Sequence, residues 1–200
     1  MSVFTKLRTA SPRRWRRIAA VVGMSLALVV ATGAPAYAGN ATLTDDFEAA
    51  DANSVWAEAQ FHCCDVGDHP PGYSHSASHS GYLGPTWSLQ SWTGLGRSVH
   101  LPTMVGTPGS NKCKASIWVY APWNATSVNV EVINPTDWTY ISVKTVALAR
   151  DSGWQQIAVP IWTAYTLDVY FRVSNISNAD NPYGGEAWID DFRVLCVWTN

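Results

Sequence analysis

Short segments in which apolar and polar residues alternate occupy most of the chain beyond residue 40. In TSVNVEVI (126–133) every second residue is valine, and the residues between are Ser, Asn and Glu. Successive side chains of a β-strand point to opposite faces, so such a segment predicts a strand with one buried face and one outward face. No long stretch shows the 3.6-residue period of an amphipathic helix. The pattern therefore predicts an all-β protein.

Ten segments fit this description, and turn-forming sequences such as APWNA, NPTD and ARDSG separate them. The predicted strands are 42–48, 54–61, 87–92, 96–101, 112–121, 126–133, 138–148, 154–161, 167–174 and 186–198. Residues 62–86 lack the alternation and are predicted to be a loop region. Many short strands with alternating faces indicate a two-sheet antiparallel β-sandwich of the jelly-roll type.

The predicted outward faces carry aromatic rings mixed with amide and charged side chains. In WTYISVK (138–144) we assign Ile141 and Val143 to the core face, which places Trp138 and Tyr140 outside. A pyranose stacks its C–H faces on aromatic rings and needs hydrogen-bonding groups for its hydroxyls. The outward set predicts a ligand-binding platform made of Trp118, Tyr120, Asn129, Glu131, Trp138, Tyr140, Tyr170 and Arg172.

Two interpretations of these rings stay open at this point. The links from 112–121 to 126–133 and from there to 138–148 have about four residues, which favours hairpins and one sheet. Alternatively, loops or a second sheet cover the rings and make them core. In that case the ligand surface is expected around Trp87, Trp92 and Trp123.

The N-terminal residues have the organisation of a secretory signal peptide. MSVFTKLRTASPRRWRR carries six Lys or Arg and no acid, an apolar run follows, and APAYA ends in an Ala-x-Ala pattern. We place the signal peptide at 1–38, which leaves 39–200 as one domain. We expect a secreted protein with no membrane attachment after cleavage; the alternative is an uncleaved anchor.

The net charge and the sequence motifs reduce the number of function classes to consider. Removing the six basic residues of the leader leaves seven against fifteen acids, a formal net charge of −8. Nucleic acid is therefore not an expected partner, because phosphate binding requires a positive surface. The sequence contains no nucleophile elbow, phosphate loop or catalytic Cys-His signature. We accordingly assign no catalytic residues.

Four cysteines follow the leader: Cys63, Cys64, Cys113 and Cys196. An exported chain meets an oxidising environment, so disulfides are expected, and four cysteines allow three pairings. Adjacent cysteines bond only through a strained ring, which favours distant partners for Cys63 and Cys64. Against this, Cys113 and Cys196 lie near strand ends that are able to face each other. The sequence leaves the pairing open.

The loop region also concentrates histidine. Residues 62–79 hold four of the five histidines together with two cysteines and two aspartates. Histidine and cysteine are the ligands that transition metals prefer, which makes a metal site one interpretation. No spacing typical of a metal site is present, so a disulfide-stapled loop with solvent-facing histidines is the other.

Several short motifs, in order, resemble the secreted carbohydrate-binding modules with a galactose-binding-like jelly roll. They are TLTDDFE (42–48), SHSGYLG (78–84), GWQQIAVP (153–160) and AWIDDFRV (187–194), and the resemblance spans most of 42–196. It implies a glycan-binding β-sandwich with a structural calcium. The implied ligands are Glu48, backbone oxygens near Ser80 and Gly81, and Asp190, with Asp191 and Asp46 as second choices. Asp190 is expected to point inward, because it is in phase with Phe192 and Val194.

Two features depart from that family. We expect no catalytic domain or linker beside the module, and we identify no counterpart for the insertion FHCCDVGDHPPGYSHSASH. We expect a free-standing module that binds a polysaccharide or cell-wall glycan. The alternatives are a secreted protein-binding domain, such as an inhibitor, adhesin or toxin, and a small glycan-active enzyme.

Overall fold

A computed structural model describes residues 38–49, 51–60, 63–86, 92–101, 111–176 and 185–199. Apart from Ala38, the predicted signal peptide lies outside the described residues, as do His62 and Trp87. Within the described ranges, no helix has the length and apolar character needed to span a bilayer.

The secondary structure is almost entirely β, as predicted. The strands are β1 (Ala38–Asp45), β2 (Ala57–Gln60), β3 (Cys64–Asp68), β4 (His79–Leu83), β5 (Trp92–His100), β6 (Lys112–Tyr120), β7 (Thr126–Ile133), β8 (Tyr140–Leu148), β9 (Gln155–Ala158), β10 (Trp162–Thr163), β11 (Asp168–Ile176) and β12 (Ala187–Thr199). One four-residue helix, α1 (Ala52–Val55), precedes β2.

The strands form two antiparallel sheets. The seven-stranded sheet has the order β10-β6-β12-β4-β3, with β1 added beside β12 and β9 beside β6. The five-stranded sheet has the order β2-β5-β11-β7-β8. The inner faces of the two sheets form the core, which confirms the predicted β-sandwich.

Alternation explains which side chains fill this core. Ile117 and Val119 of β6 and the valines of β7 are fully buried, while the residues between them are more exposed or face outward. At one end of the core the ring of Trp56 packs on Phe47 at 4.9 Å and on Phe192 at 5.5 Å between ring centroids. The period-2 pattern of the sequence therefore sets the core directly.

Two strands lie in the region that was predicted to be a loop. β3 and β4 form a hairpin, and β4 pairs with β12. Their sequences, CDVGD and HSGYL, contain too few apolar residues to show alternation. Gly81 is required there, because a Cβ at this position would lie 2.7 Å from the side chain of Ile189. The ten residues between these strands are called loop 69–78 below.

The cysteines form two disulfides, Cys63–Cys64 and Cys113–Cys196. The preference for distant partners of Cys63 and Cys64 is therefore wrong. Cys113 of β6 and Cys196 of β12 are directly opposite each other in the antiparallel pair, with Cα atoms 4.1 Å apart. This register brings their side chains to the same face, which the sequence does not show.

Candidate functional site

The predicted platform is divided between the two outer faces of the sandwich. Trp118 and Tyr120 lie on β6 of the seven-stranded sheet, whereas Tyr140 lies on β8 of the five-stranded sheet. The prediction of a hairpin between 112–121 and 126–133 is wrong, because β6 pairs with β9, β10 and β12 while β7 pairs with β8 and β11. The short link after β6 crosses from one sheet to the other.

Loop 69–78 covers part of the outer face of the seven-stranded sheet. The ring of His75 stacks on Trp118 with centroids 4.0 Å apart and an interplanar angle of 16°. Tyr73 packs on Trp188 at 4.7 Å and on Trp123 at 5.7 Å. The rings of the loop and the sheet pack on one another, and Trp118 is half-buried beneath the loop.

Asp190 binds the backbone of loop 69–78 through its side-chain carboxyl group. Its Oδ2 accepts the backbone N–H groups of His75 at 2.8 Å and Ser76 at 2.9 Å, and its Oδ1 accepts that of Asp191 at 2.7 Å. Burial raises the pKa of Asp190 to about 6, and the three N–H donors oppose this increase. The loop and the sheet are thus joined through a buried carboxyl group.

The side chain of Asp190 points to the outer face, and the prediction that it shares the phase of Phe192 is wrong. Asp190 is opposite Trp118, and the β12–β6 register shifts between Asp190 and Arg193. Asp191 has a φ of 50° within this bulge. A bulge inserts one residue and reverses the facing of everything beyond it, so Phe192 returns to the core.

The side chains implied as calcium ligands accept backbone N–H groups in this arrangement. Glu48 Oε1 accepts the backbone N–H groups of Ser78 at 2.9 Å and His79 at 2.6 Å, and Asp46 accepts the N–H of Glu48 at 3.2 Å. Calcium requires six to eight oxygen ligands, and N–H groups supply none. Structural calcium therefore stays a prediction of the sequence.

The other metal site predicted from the sequence was a transition-metal site in the histidine-rich region. Among the residues that the structure describes, no group of three or more His, Cys, Asp or Glu side chains is arranged to hold a metal ion. His75 is instead bound to Asp191 at 2.5 Å, and His79 to Glu48 at 2.9 Å. The first pair joins loop 69–78 to β12, and the second joins the start of β4 to the segment that follows β1.

The outer face of the five-stranded sheet carries the rest of the predicted residues. One row across the sheet runs Gly96, Arg172, Glu131 and Val143, and the next runs Ser98, Tyr170, Ile133 and Tyr140. A Cβ on Gly96 would lie 2.3 Å from the Tyr170 hydroxyl, so the ring of Tyr170 leans across this glycine. The glycine makes room for an aromatic ring on the sheet surface.

An ion pair lies at the centre of this face. Glu131 is only 2% exposed, and its Oε2 accepts hydrogen bonds from Arg172 Nε and, at 3.4 Å, from Ser174. The guanidinium lies 4.4 Å from the ring centroid of Trp92 and donates to the Tyr140 hydroxyl at 3.2 Å. The pair is thus held on several sides, which fixes Arg172 in one position.

Trp138 lies in a hydrogen-bonded turn between β7 and β8. Its backbone N–H donates to Asn134 O at 2.9 Å, and Asn134 N–H donates to Thr139 O at 2.9 Å. Trp138 has a φ of 59°, which is unfavourable for a bulky residue. Its ring is 60% exposed and meets Tyr170 edge-on at 5.3 Å. A strained backbone that holds an exposed ring is typical of a functional position.

Tyr140 is 59% exposed, so the prediction that both rings of WTYISVK face outward is confirmed. The assignment of Val143 to the core is wrong. Ser142 is opposite the buried Val132, but Tyr140 is opposite Ile133, which makes Ile141 the extra residue of a bulge. Beyond this bulge the phase is reversed, and Val143 lies outside beside Glu131.

The residues of this face define what we call the platform: Trp138, Tyr140, Tyr170, Arg172, Glu131 and Asn129, together with Trp92. Asn129 donates to Glu131 Oε1 at 3.3 Å and accepts from Thr145 at 2.7 Å. Trp92 was identified in the sequence only as an alternative. The sequence placed it at the end of the predicted strand 87–92, whereas it is the first residue of β5.

Sequence reasoning missed a neighbouring region at the edge of the sandwich. Ile161 and Tyr165 flank β10 and are 67% and 72% exposed. Together with Tyr140 and Val143 they line a groove of about 530 Å³ between β8 and the β9–β10 segment. The available signal was the apolar run PIWTAY, in which Pro160 ends the alternation.

Comparison with known proteins finds similarity in structure only. No protein-family model and no curated protein matches the sequence. An arabinose-bound α-L-arabinofuranosidase superposes with a TM-score of 0.58 at 15% identity, over 78% of this chain and 26% of that one. This chain thus spans about a quarter of the enzyme.

Two other structures match over most of their length. The CBM22-1 xylan-binding domain of Paenibacillus barcinonensis Xyn10C has a TM-score of 0.51 at 14% identity, covering 79% of this chain and 95% of that domain. A Stig cyclase from Fischerella sp. TAU has a TM-score of 0.50 at 13% identity, covering 85% and 93%. The chain therefore has the jelly-roll β-sandwich fold found in carbohydrate-binding modules, and the resemblance inferred from its motifs is confirmed at the level of the fold.

Proposed function

We propose that this protein binds a polysaccharide on the platform of the five-stranded sheet. The observation that supports this most is the pairing of two exposed rings, Trp138 and Tyr140, with an immobilised ion pair, Glu131 and Arg172. The rings offer stacking surfaces, and the fixed guanidinium offers hydrogen-bond donors. A sugar presents the matching combination of C–H faces and hydroxyl oxygens.

The opposite face is a poorer candidate. Its rings stack on loop 69–78 and on one another, as in the contact between His75 and Trp118. The fold adds support, since the xylan-binding domain of P. barcinonensis Xyn10C shares it. Xylan is therefore the first polysaccharide to test.

We also propose that the chain is exported. The basic and apolar leader with its Ala-x-Ala site supports export, and so do the two disulfides. Strand β1 begins at Ala38, so cleavage after this residue leaves its pairing with β12 nearly complete. Intact-mass measurement of secreted protein tests this, and a full-length mass in the membrane fraction would contradict it.

Affinity electrophoresis tests the binding proposal. We expect xylan in the gel to retard the wild-type protein, with galactan and β-glucan as comparisons. Tyr140→Ala should migrate freely, while the matched control Trp123→Ala, an exposed ring on the opposite face, should remain retarded. Loss of retardation in both variants, or in the control alone, would remove the platform as the site.

Two other outcomes separate the alternatives. Release of reducing sugar would indicate a glycan-active enzyme. No retardation by any polysaccharide would contradict glycan binding and favour a protein partner for the same exposed rings.

A further inference from the structure

Exposed apolar side chains are concentrated in the groove of about 530 Å³ at the β8 edge of the sandwich. Within the described ranges, seven large apolar or aromatic side chains are exposed, and four of them line this groove: Tyr140, Val143, Ile161 and Tyr165. Single exposed apolar residues are common on protein surfaces, but contiguous ones mark a binding site. The groove is therefore the strongest candidate for a contact surface beyond the platform.

Hydrogen bonds hold the two walls of the groove in place. One wall is formed by residues 140–143 and the other by residues 160–163 with Tyr165. The hydroxyl of Ser142 donates to the carbonyl oxygen of Pro160 at 2.9 Å, which joins the walls at the floor. The Tyr140 hydroxyl accepts from Arg172 at 3.2 Å, which fixes the rim next to the platform. A ligand in such a groove loses little free energy to ordering the protein.

The groove also contains polar groups. β8 is the end strand of the five-stranded sheet and pairs with β7 alone among the described strands. Four consecutive β8 residues line the groove, so the edge of the strand borders it and not one face. Every second residue of an edge strand directs its N–H and C=O away from the sheet, here towards the groove. These groups, with the Thr163 hydroxyl, lie beside apolar side chains, as sugar binding requires.

Both rows of the platform end at this groove. The row through Arg172 and Glu131 ends at Val143, and the row through Tyr170 ends at Tyr140. Val143 and Tyr140 both line the groove. Arg172 on β11 is two strands away from β8, or about 10 Å at a strand spacing of ~4.8 Å, which is the length of about two sugar residues. A glycan chain that crosses the strands in this direction therefore leaves the platform at the groove.

We propose that the groove is a second subsite, which binds the residues of a linear polysaccharide that extend past the platform at β8. This inference rests on the proposed function. Tyr165 and Ile161 contact the C–H surfaces of these residues, and the edge of β8 binds their hydroxyl groups. Affinity then depends on chain length beyond the part that the platform holds.

The volume of the groove indicates how many residues it takes. An apolar cavity of about 150 Å³ in another protein holds benzene, which corresponds to about 25 Å³ per heavy atom. At this density the groove of about 530 Å³ holds about 21 heavy atoms. A pentose residue within a polysaccharide has about nine heavy atoms, so about two residues fit. A hexasaccharide is therefore long enough to fill both subsites, and a trisaccharide is not.

The first test compares short and long oligomers of the polysaccharide that retards the protein, xylotriose and xylohexaose in the case of xylan. Tyr165 is 72% exposed, or about 140 Å² of a ring of ~200 Å². Covering half of this, ~70 Å², corresponds to about 20-fold in affinity at ~25 cal/mol per Å². We therefore expect the wild-type protein to bind the hexamer about 20-fold more tightly than the trimer in isothermal titration calorimetry.

Tyr165→Ala should remove this gain, so that the hexamer binds within about threefold of the trimer. The affinity for the trimer should not change, because the platform is intact. The matched control Trp123→Ala removes an exposed ring on the opposite face and should keep the full gain. A wild type that binds both oligomers equally, or the same ratio of affinities in Tyr165→Ala, overturns the inference.

A second measurement locates the contact directly. In ¹⁵N-labelled protein, the hexamer should shift the backbone amide signals of Ile161, Thr163 and Tyr165, and the trimer should leave them unchanged. If both oligomers bind but neither moves these signals, the groove is not a glycan subsite, while the platform stands. If no oligomer and no polysaccharide binds, the proposed function fails and the inference fails with it.

Discussion

Replacing Trp138 by alanine tests which of the two outer faces of the sandwich binds the polysaccharide. A fully exposed tryptophan presents about 250 Å², so a ring that is 60% exposed offers about 150 Å² to a ligand. A sugar on one face of the ring covers about half of this, or ~75 Å², which corresponds to about 2 kcal/mol at ~25 cal/mol per Å². Trp138→Ala should therefore weaken xylan binding about 25-fold.

The same variant should remain folded. Its main intramolecular loss is the edge contact with Tyr170, which is worth about 1 kcal/mol. For a domain of this size, that lowers the melting temperature by about 2–4 °C. The hydrogen bonds of the turn use backbone atoms, so alanine keeps them.

Trp118→Ala is the matched comparison, because Trp118 was predicted to belong to the same platform. It packs under loop 69–78 against His75. Since Trp118 is half-buried, its removal should cost about 2–3 kcal/mol, less than a fully buried tryptophan, and lower the melting temperature by roughly 6–10 °C. The affinity of the folded fraction for xylan should not change.

Isothermal titration calorimetry gives the affinity of each variant for xylan, and differential scanning calorimetry gives its melting temperature. The reasoning is refuted if Trp138→Ala binds xylan as tightly as the wild type. It is equally refuted if Trp118→Ala loses binding at an unchanged melting temperature, which would place the ligand on the seven-stranded sheet.

Three further predictions concern stability. Asp45 forms a largely buried ion pair with Arg97, so Asp45→Ala should lower the free energy of unfolding in urea by about 3–5 kcal/mol; a change below 1 kcal/mol would contradict this. The hydrogen bond that His79 donates to Glu48 raises the pKa of His79. Burial acts to raise the pKa of Glu48, but the hydrogen bonds that Glu48 accepts from His79 and Ser78 lower it overall. The pair therefore contributes most between the ordinary values, pH 4.5 and 6.5, and the melting-temperature difference between wild type and His79→Gln should shrink above and below this window. Because Glu48 and Asp190 accept N–H donors, EDTA should leave the melting curve unchanged, and a lower melting temperature in EDTA would restore the calcium interpretation.

The alternation of the sequence predicts strands well where it is uninterrupted. β7 occupies 126–133, the range predicted from its valines, and β6 and β11 differ from their predicted ranges by one or two residues. Their inward residues are buried in the core, so burial and period agree. β3 and β4 were missed because they pair through the backbone and carry few apolar side chains.

Bulges explain the errors of facing. One extra residue at Ile141 reverses the phase of Val143, and another near Asp191 separates Asp190 from Phe192. A bulge depends on the register with the partner strand. Counting alternate residues along one strand does not reveal that register. Asp191 has a positive φ at one of these bulges, and its residue type alone does not predict this conformation.

Local sequence patterns also do not show which of the two sheets a strand belongs to. The five-residue link after β6 looks like a hairpin turn, yet the chain crosses to the opposite sheet there. The aromatic residues on either side of this link therefore serve different faces. Only the pairing of β6 with β12, a strand some 70 positions further along the chain, decides this.

The insertion that has no counterpart in the resembled family accounts for the difference between the two faces. Both outer faces carry aromatic rings in strand positions, and both would be exposed in a bare sandwich. Loop 69–78, held by Asp190 and Asp191, supplies His75 and Tyr73 to one face and leaves the other open. The loop therefore leaves the five-stranded sheet as the outer face with the most exposed strand-borne rings, and this is the face on which we propose that a ligand binds.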